Sequence, residues 1–193
     1  MTITRESLLT LEAYAKQRPE FRKKAIAHKN LRKVYVGEHV MLQFEDELTI
    51  RYQIQEVLRI EKTFEEDAIL EELEAYTPLV PEGTNWKVTQ SIEYPDVEQR
   101  KLKLVELRGI ERQTYIKVGG FDKVYAIADE DLPRENEEKT SAIHFLRFEL
   151  TPEMIASAKG GEQIAVGIDL PAYDIHVPEI SPDTQFSICQ DLD

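Results

Sequence analysis

The sequence predicts an α+β fold, a mainly antiparallel sheet with N-terminal and inserted helices packed on it. Three observations point there: stretches with helical and with strand periodicity are mixed along the chain, hairpin-like pairs recur, and strict β–α–β alternation is absent. A chain of 193 residues is expected to form a single domain over 1–193, large enough to bury a core without disulfide or metal staples.

The elements follow in order. Thr4 stands before "RESLLTLEAYAKQR", where Leu8, Leu11 and Ala15 recur at helical spacing, and it is the expected cap. Pro19 is read as a break or restart, opening a second helix in "PEFRKKAIAHKNL" with Phe21, Ala25 and Leu31 as its apolar stripe. Together they make a helical arm over 4–32. "KVYVG" and "HVMLQF" read as a strand pair turning at Gly37. In "FEDELTIRYQIQEVLRIEK", Ile50, Ile54, Val57 and Leu58 share one helical sector, with Arg51, Gln55 and Arg59 as a polar ridge beside it. Glu61 returns to the apolar sector if the helix extends that far.

"TFEEDAILEELEAY" is a further amphipathic helix, with Thr63 and Glu66 in capping-box spacing and Phe64, Ile69, Leu70 and Leu73 expected inward. "NWKVTQSIEYP" is the cleanest strand, placing Trp86, Val88, Gln90, Ile92 and Tyr94 on one face. Asp96 is the expected cap of a helix through Leu107, and "QTYIKVGGFDKVYAIA" reads as a hairpin about Gly119 and Gly120. An acidic stretch over 129–140 reads as a mobile loop. "SAIHFLRFEL" is a strand, "PEMIASAKGG" a short helix started by Thr151 and Pro152, "QIAVGI" a strand and "YDIHV" an edge strand, before a turn-rich tail over 178–193.

Composition bounds the function. The lone Cys189 permits no internal disulfide, and with no secretory h-region the expected compartment is the cytoplasm. Stretches free of Asp, Glu, Lys and Arg run to seven residues, far short of the roughly 20 that a membrane span needs. Net charge is −13, yet Lys16 to Lys33 holds eight basic residues against Glu20 alone, and the remainder holds 16 basic and 36 acidic residues. An acidic body repels nucleic acid and anionic membranes, so neither is an expected general partner. The basic arm can neutralise its own acidic helix after Thr63, dock an acidic protein, or bind RNA, although the interleaved aromatics that RNA needs are sparse (Tyr14, Phe21, Tyr35).

Chemistry-bearing motifs are weak. His28, His39, His144 and His176 show no i, i+4 pair, and there is no C-x-x-C or E-x-x-H. A metal set assembled from distant strands would draw on His39 and His144, with Glu56 or Glu61 completing it. Glu61, if desolvated, is also the candidate acid or base, with Glu56 second. No G-x-S-x-G elbow is present, Cys189 reads as a spare thiol in the tail, and "VGGFD" and "AKGGEQ" match no phosphate cradle.

The run from "LLTLEAYAKQRPEFRKKAIAHKNLRKVYVGEHVMLQFEDELTIRYQIQEVLRIEK" through "ILEELEAYTPLVP" to "SAIHFLRFEL" resembles a bacterial domain-of-unknown-function family, number 3501. "RPEFR" and "FEDELTIRYQIQEVLR" are its most specific segments, and the acidic loop is where this chain departs from the family pattern. The resemblance implies company with rubrerythrin-like and iron–sulfur oxidoreductase proteins, hence a part in peroxide defence or electron transfer. It carries over no catalytic residue.

The expected function is therefore an accessory protein docking on such a redox partner through Arg18, Arg22, Lys23, Lys24, Arg32 and Lys33, with Arg51, Gln55 and Arg59 of the ridge. The alternative is a metal- or haem-binding redox protein or enzyme, with iron or haem as cofactor. RNA binding is the third reading.

Overall fold

The computed structural model describes residues 3–131, 134 and 138–193. A single 3₁₀ turn over Arg5–Ser7, capped by Thr4, precedes α1 (Leu11–Leu31). The true cap of α1 is Thr10, whose hydroxyl accepts from the Ala13 amide at 3.3 Å. Pro19 neither breaks nor restarts the helix, which runs unbroken past it. Pro19 and Ala15 both face solvent, so water can serve the Ala15 carbonyl that loses its intrahelical donor.

Then come β1 (Lys33–Val36), β2 (Val40–Phe44), α2 (Glu47–Glu61) and α3 (Glu66–Tyr76). Asp46 caps α2 in a reciprocal box with Thr49. For α3 the cap is Glu65 rather than Thr63, without a side-chain bond, and Phe64 and Leu70 point outward, while Ile69 and Leu73 are buried as expected. Next are β3 (Asn85–Ile92), α4 (Val97–Glu106) capped by Asp96, the short α5 (Ile110–Gln113), β4 (Thr114–Val118), β5 (Val124–Tyr125), β6 (Ile127–Ala128), β7 (Ile143–Glu149), α6 (Pro152–Lys159), β8 (Ile164–Leu170) and β9 (Tyr173–Val177). The tail is not turn-rich throughout. Pro182–Cys189 forms a helix, α7, capped by the Ser181 hydroxyl.

The strands make two sheets, ordered β1-β2-β3-β7-β6 and β5-β4-β8-β9, and every named pairing is antiparallel. Side chains of both sheets meet in one apolar cluster that includes Phe44, Trp86, Leu146, Ile116 and Val166. Each large side chain taken from water there contributes about 1.5–3 kcal/mol. A second cluster joins the N-terminal turn to α2 and α3 through Ile3, Leu8, Ile50, Ile54, Leu58, Ile69 and Leu73.

The C-terminal segment is stitched to the first sheet. The Trp86 indole donates to the Ile188 carbonyl at 2.8 Å, and the Asp193 amide donates to the Gly83 carbonyl at 3.0 Å. Gly83 takes a left-handed backbone (φ +90°) that disfavours any side chain, and a Cβ there would also have to displace the Asp193 carboxylate.

Of the acidic stretch 129–140, residues 132, 133 and 135–137, and with them that part of the mobile-loop expectation, lie outside the described residues. Its described residues include anchored ones. The Glu130 carboxylate accepts from Arg147 at 2.8 and 2.9 Å, and the Arg134 guanidinium lies 4.5 Å from the Phe145 ring centre.

Candidate functional site

The basic arm is the long helix α1, and it meets the body at two polar clasps. At the first, Tyr14 and Phe21, seven residues apart and so on one side of α1, pack towards α2, with Phe21 and Tyr52 stacked at 6.2 Å. Glu56 of α2 gathers three donors. Arg18 grips it with two bonds of 2.7 and 2.9 Å, the Tyr14 hydroxyl donates at 2.7 Å, and Arg59 donates at 3.3 Å. The Arg18 bond is the largest reason why the Glu56 carboxyl is held down at about 2, burial pulling the other way. Burial, reinforced by Glu56, pushes the Tyr14 phenol well above its ordinary range.

These contacts correct part of the expected docking surface. Gln55 is buried; it accepts from the Leu9 amide at 2.7 Å and donates to the Leu9 carbonyl at 3.3 Å. Arg51 bonds Glu47, and Arg59 and Arg18 are committed to Glu56. Along the ridge the N-terminal segment covers Gln55 and α1 covers Glu56, while Arg51 and Arg59 pair within α2 itself and remain partly exposed. A pattern of one apolar sector cannot reveal a second, hydrogen-bonded interface. At this clasp the acid that receives the arm is thus on α2, and not on the acidic helix after Thr63, whose Glu66 pairs instead with Arg5.

The second clasp is Arg32, one residue past α1, and it too is removed from the docking surface, being only 1% exposed. Its guanidinium donates to the carbonyls of Phe44 (3.0 Å), Glu45 (3.2 Å) and Ser187 (2.9 Å) and to the Asp191 carboxylate. Asp46 lies 3.6 Å from the same guanidinium, caps α2 through the Thr49 amide at 2.9 Å, and faces the His28 ring nitrogen at 2.5 Å. Burial opposes ionisation at both acids, with opposite outcomes. Asp46, with Arg32, the Thr49 amide and His28 around it, stays below its ordinary value, whereas for Asp191 burial outweighs Arg32 and the carboxyl rises to about 6. Two hollows open on this cluster, of about 1060 and 540 Å³, sharing His28, Asp46, Gln190 and Asp191.

The residues set aside for metal or acid–base chemistry do not converge. His39, in the β1–β2 turn, stacks on Tyr94 at 4.0 Å with Nδ1 3.1 Å from the Glu93 carbonyl. His144 is on β7, wholly buried, its Nδ1 2.6 Å from Asp129 and its Nε2 2.9 Å from the Thr140 hydroxyl. Glu56 is taken by Arg18, and Glu61, although α2 runs far enough to bring it back to the apolar sector, is the last residue of the helix before Lys62 turns into the left-handed region (φ 56°), and it stands exposed. Among the described residues no three His, Cys, Asp or Glu side chains are grouped to hold a metal ion.

The Asp129–His144–Thr140 chain has the connectivity of a nucleophile relay. Thr140 is only 2% exposed, and neither hollow at the second clasp is lined by any of the three. Beside it sits buried Glu111, 3.9 Å from His144 Nε2 and 3.7 Å from Arg112, with both carboxylate oxygens lacking a hydrogen bond among the described residues. Cys189, expected in an exposed tail, is buried, its thiol 3.5 Å from the Ala158 carbonyl and pushed up chiefly by burial.

At the surface of the arm, Arg22, Lys23 and Lys24 are exposed and outside any ion pair among the described residues, Lys16 is exposed and paired with Glu12, Lys29 is half-buried, and Lys33 is half-buried and bonded to Asn30 at 3.2 Å. Leu31 (47% exposed) and Phe186 (73%) stand apolar beside it, lining the smaller of the two hollows. Phe186 was not singled out from the sequence. The signal available was Ser181–Pro182, a cap followed by a first-turn proline, which announces α7.

Among described residues no helix is long and apolar enough to cross a membrane. No curated protein matches the chain. A crystal structure of a protein of unknown function from Burkholderia pseudomallei is similar over 100% of both chains, at 54% identity and a TM-score of 0.96. A family profile described as "Protein of unknown function (DUF3501)" matches residues 2–192. With nearly its whole length matched and the α+β architecture just described, the chain belongs to the DUF3501 family.

Proposed function

We propose that the protein is an accessory protein that acts by docking, and that the outward side of α1 receives an acidic surface of a redox partner. The gene company implied by the family resemblance suggests a rubrerythrin-like protein or an iron–sulfur oxidoreductase as that partner. One observation carries the reading. Lys16, Arg18 and Arg32 are ion-paired within the molecule and Lys33 bonds Asn30, while Arg22, Lys23, Lys24 and the half-buried Lys29 have no ion pair among the described residues. On a chain of net charge −13, such a positive patch orients an acidic partner and excludes basic ones. RNA gains little support, since Tyr14 and Phe21, which would stack on bases, are turned against each other and, through Tyr52, towards α2.

The test is retention of the rubrerythrin-like or iron–sulfur neighbour on the immobilised protein across a salt series. Binding should weaken steeply with salt and fall about tenfold or more in Arg22→Glu/Lys23→Glu, whose thermal midpoint should match the parent's. If no neighbour is retained at low ionic strength, or the double reversal binds as well as the parent, the reading is wrong.

A further inference from the structure

The two nitrogens of the buried His144 ring face different company. Nδ1 lies 2.6 Å from the carboxylate of Asp129, the residue after β6. Nε2 faces three oxygens: the Thr140 hydroxyl at 2.9 Å, the Ser141 carbonyl at 3.1 Å and, from α5, a Glu111 carboxylate oxygen at 3.9 Å. Glu111 is 1% exposed, and neither of its oxygens has a hydrogen bond among the described residues. Gln90 stands opposite His144 in the β3–β7 ladder. The Thr114 hydroxyl lies 2.9 Å from the Ile110 carbonyl and 2.7 Å from the Gln90 side-chain amide. A carbonyl only accepts and a hydroxyl has one hydrogen to give, so the Thr114 oxygen accepts from the Gln90 amino group. That orientation leaves the Gln90 oxygen, and not a stranded N–H, on the unbonded side of the amide. The cluster is rich in acceptors, and a carboxylate this deep requires a positive charge beside it.

The spacing fits a metal ion. A cation about 2.1 Å from Nε2 and from each oxygen sees the Thr140 and Ser141 oxygens at about 90° to that nitrogen, as neighbouring ligands of an octahedral ion stand. The Glu111 carboxylate joins them by closing about 0.8 Å, with no hydrogen bond among the described residues to break. Asp129 supplies what a metal-bound imidazole needs, a carboxylate that accepts from Nδ1–H and so leaves Nε2 bare. Its aim is fixed: the backbone of Asp129 is left-handed (φ 51°), and its other oxygen accepts from the Phe145 amide at 3.0 Å.

We propose that this cluster binds one divalent cation through His144 Nε2, the Glu111 carboxylate, the Thr140 hydroxyl and the Ser141 carbonyl, with Asp129 orienting the imidazole. One imidazole and one carboxylate are the strong ligands, and the hydroxyl and carbonyl make up the number. A single nitrogen among oxygens, without thiolate, suits a hard first-row ion of the Mn²⁺ kind. His144, Glu111 and Thr140 are at most 2% exposed, so the ion is enclosed and structural, joining α5 and the segment before β7 to the first sheet. The site shares no residue with the docking patch on α1, so either can fail without the other.

Titration of the chelator-stripped full chain with Mn²⁺, followed by the electron paramagnetic resonance signal of the free ion, tests it. One equivalent should bind and raise the thermal midpoint. Glu111→Gln, which keeps the size and removes the charge, should weaken binding by about 30-fold or more. Asp129→Asn should weaken it by about 10–100-fold, and it serves as the second variant should Glu111→Gln fail to fold. Glu61→Gln, at an exposed acid, should bind as the parent does. The proposal is overturned if no equivalent of Mn²⁺ binds, which leaves Glu111 and His144 as an ion pair alone. It is overturned equally if Glu111→Gln or Asp129→Asn binds as tightly as the parent, or if Glu61→Gln loses as much, the mark of diffuse attraction to an acidic surface.

Discussion

The two clasps of α1 use the same chemistry, an arginine on a carboxylate, and reach opposite electrostatic results. At the Arg18–Glu56 clasp solvent still reaches the partners, the two-bond grip outweighs burial, and the carboxyl falls to about 2. At the Arg32–Asp191 clasp the guanidinium is 1% exposed and divides its donors among three carbonyls and a carboxylate, so burial wins and Asp191 rises to about 6. The lesson is that the identity of the pair does not set the sign; the balance between burial and the donors gathered by each carboxylate does, as Asp46, lowered beside the same Arg32, also shows. The outer clasp holds a helix down, whereas the inner one joins the end of α1, the end of β2 and α7 in a single knot.

The largest effect expected from breaking this symmetry is at the inner clasp. Arg32→Ala strands the Phe44, Glu45 and Ser187 carbonyls and leaves Asp191 buried without its cation, and should cost about 4 kcal/mol in urea unfolding. A loss under about 1 kcal/mol would show that water takes over the arginine's role.

Next comes pH. Asp191 is raised above its ordinary 3.8, so its contribution is fully present below that value and is lost as pH rises through about 6. Glu56 runs the other way, its contribution present above the ordinary 4.5 and lost as pH falls towards about 2. Asp191→Asn, which keeps an acceptor for Arg32, should therefore remove a decline of about 2–3 kcal/mol between pH 4 and 6, read from urea midpoints across that range. An unchanged slope would place the titration elsewhere.

The smallest effect belongs to the outer clasp. Arg18→Ala should lower stability at pH 7, and the loss should shrink as pH falls from about 4.5 towards about 2, the range over which Glu56 gives up its charge. A cost independent of pH would mean that Arg18 acts through its packing alone.

Much of the fold was legible beforehand because it rests on local rules. Alternation in β3 and β7, the glycine turn between β1 and β2, and the caps Asp96 and Thr151 were all readable, and each stands in the structure. Where a local rule had a competitor, it failed. Pro19 is tolerated because it faces water, and Phe64 lies outside because its helix begins later than the spacing of Thr63 and Glu66 suggests.

The docking residues divide along the same line. Arg22, Lys23 and Lys24 are exposed as read, whereas Arg18, Arg32, Arg51, Gln55 and Arg59 are occupied within the molecule. The partners they meet lie up to 159 residues away, as Arg32 and Asp191 do.

By itself the sequence determined the mixed α+β architecture, the paired strands and the presence of a cationic helix on an acidic body. Periodicity, turn residues and charge act over a few residues and can be read one segment at a time. Only the tertiary structure decided which of those cations face solvent, that Asp191 and Glu56 move in opposite directions, and that Phe186 stands beside a hollow. Each of those outcomes depends on which distant groups a side chain meets and how much water is excluded when they meet.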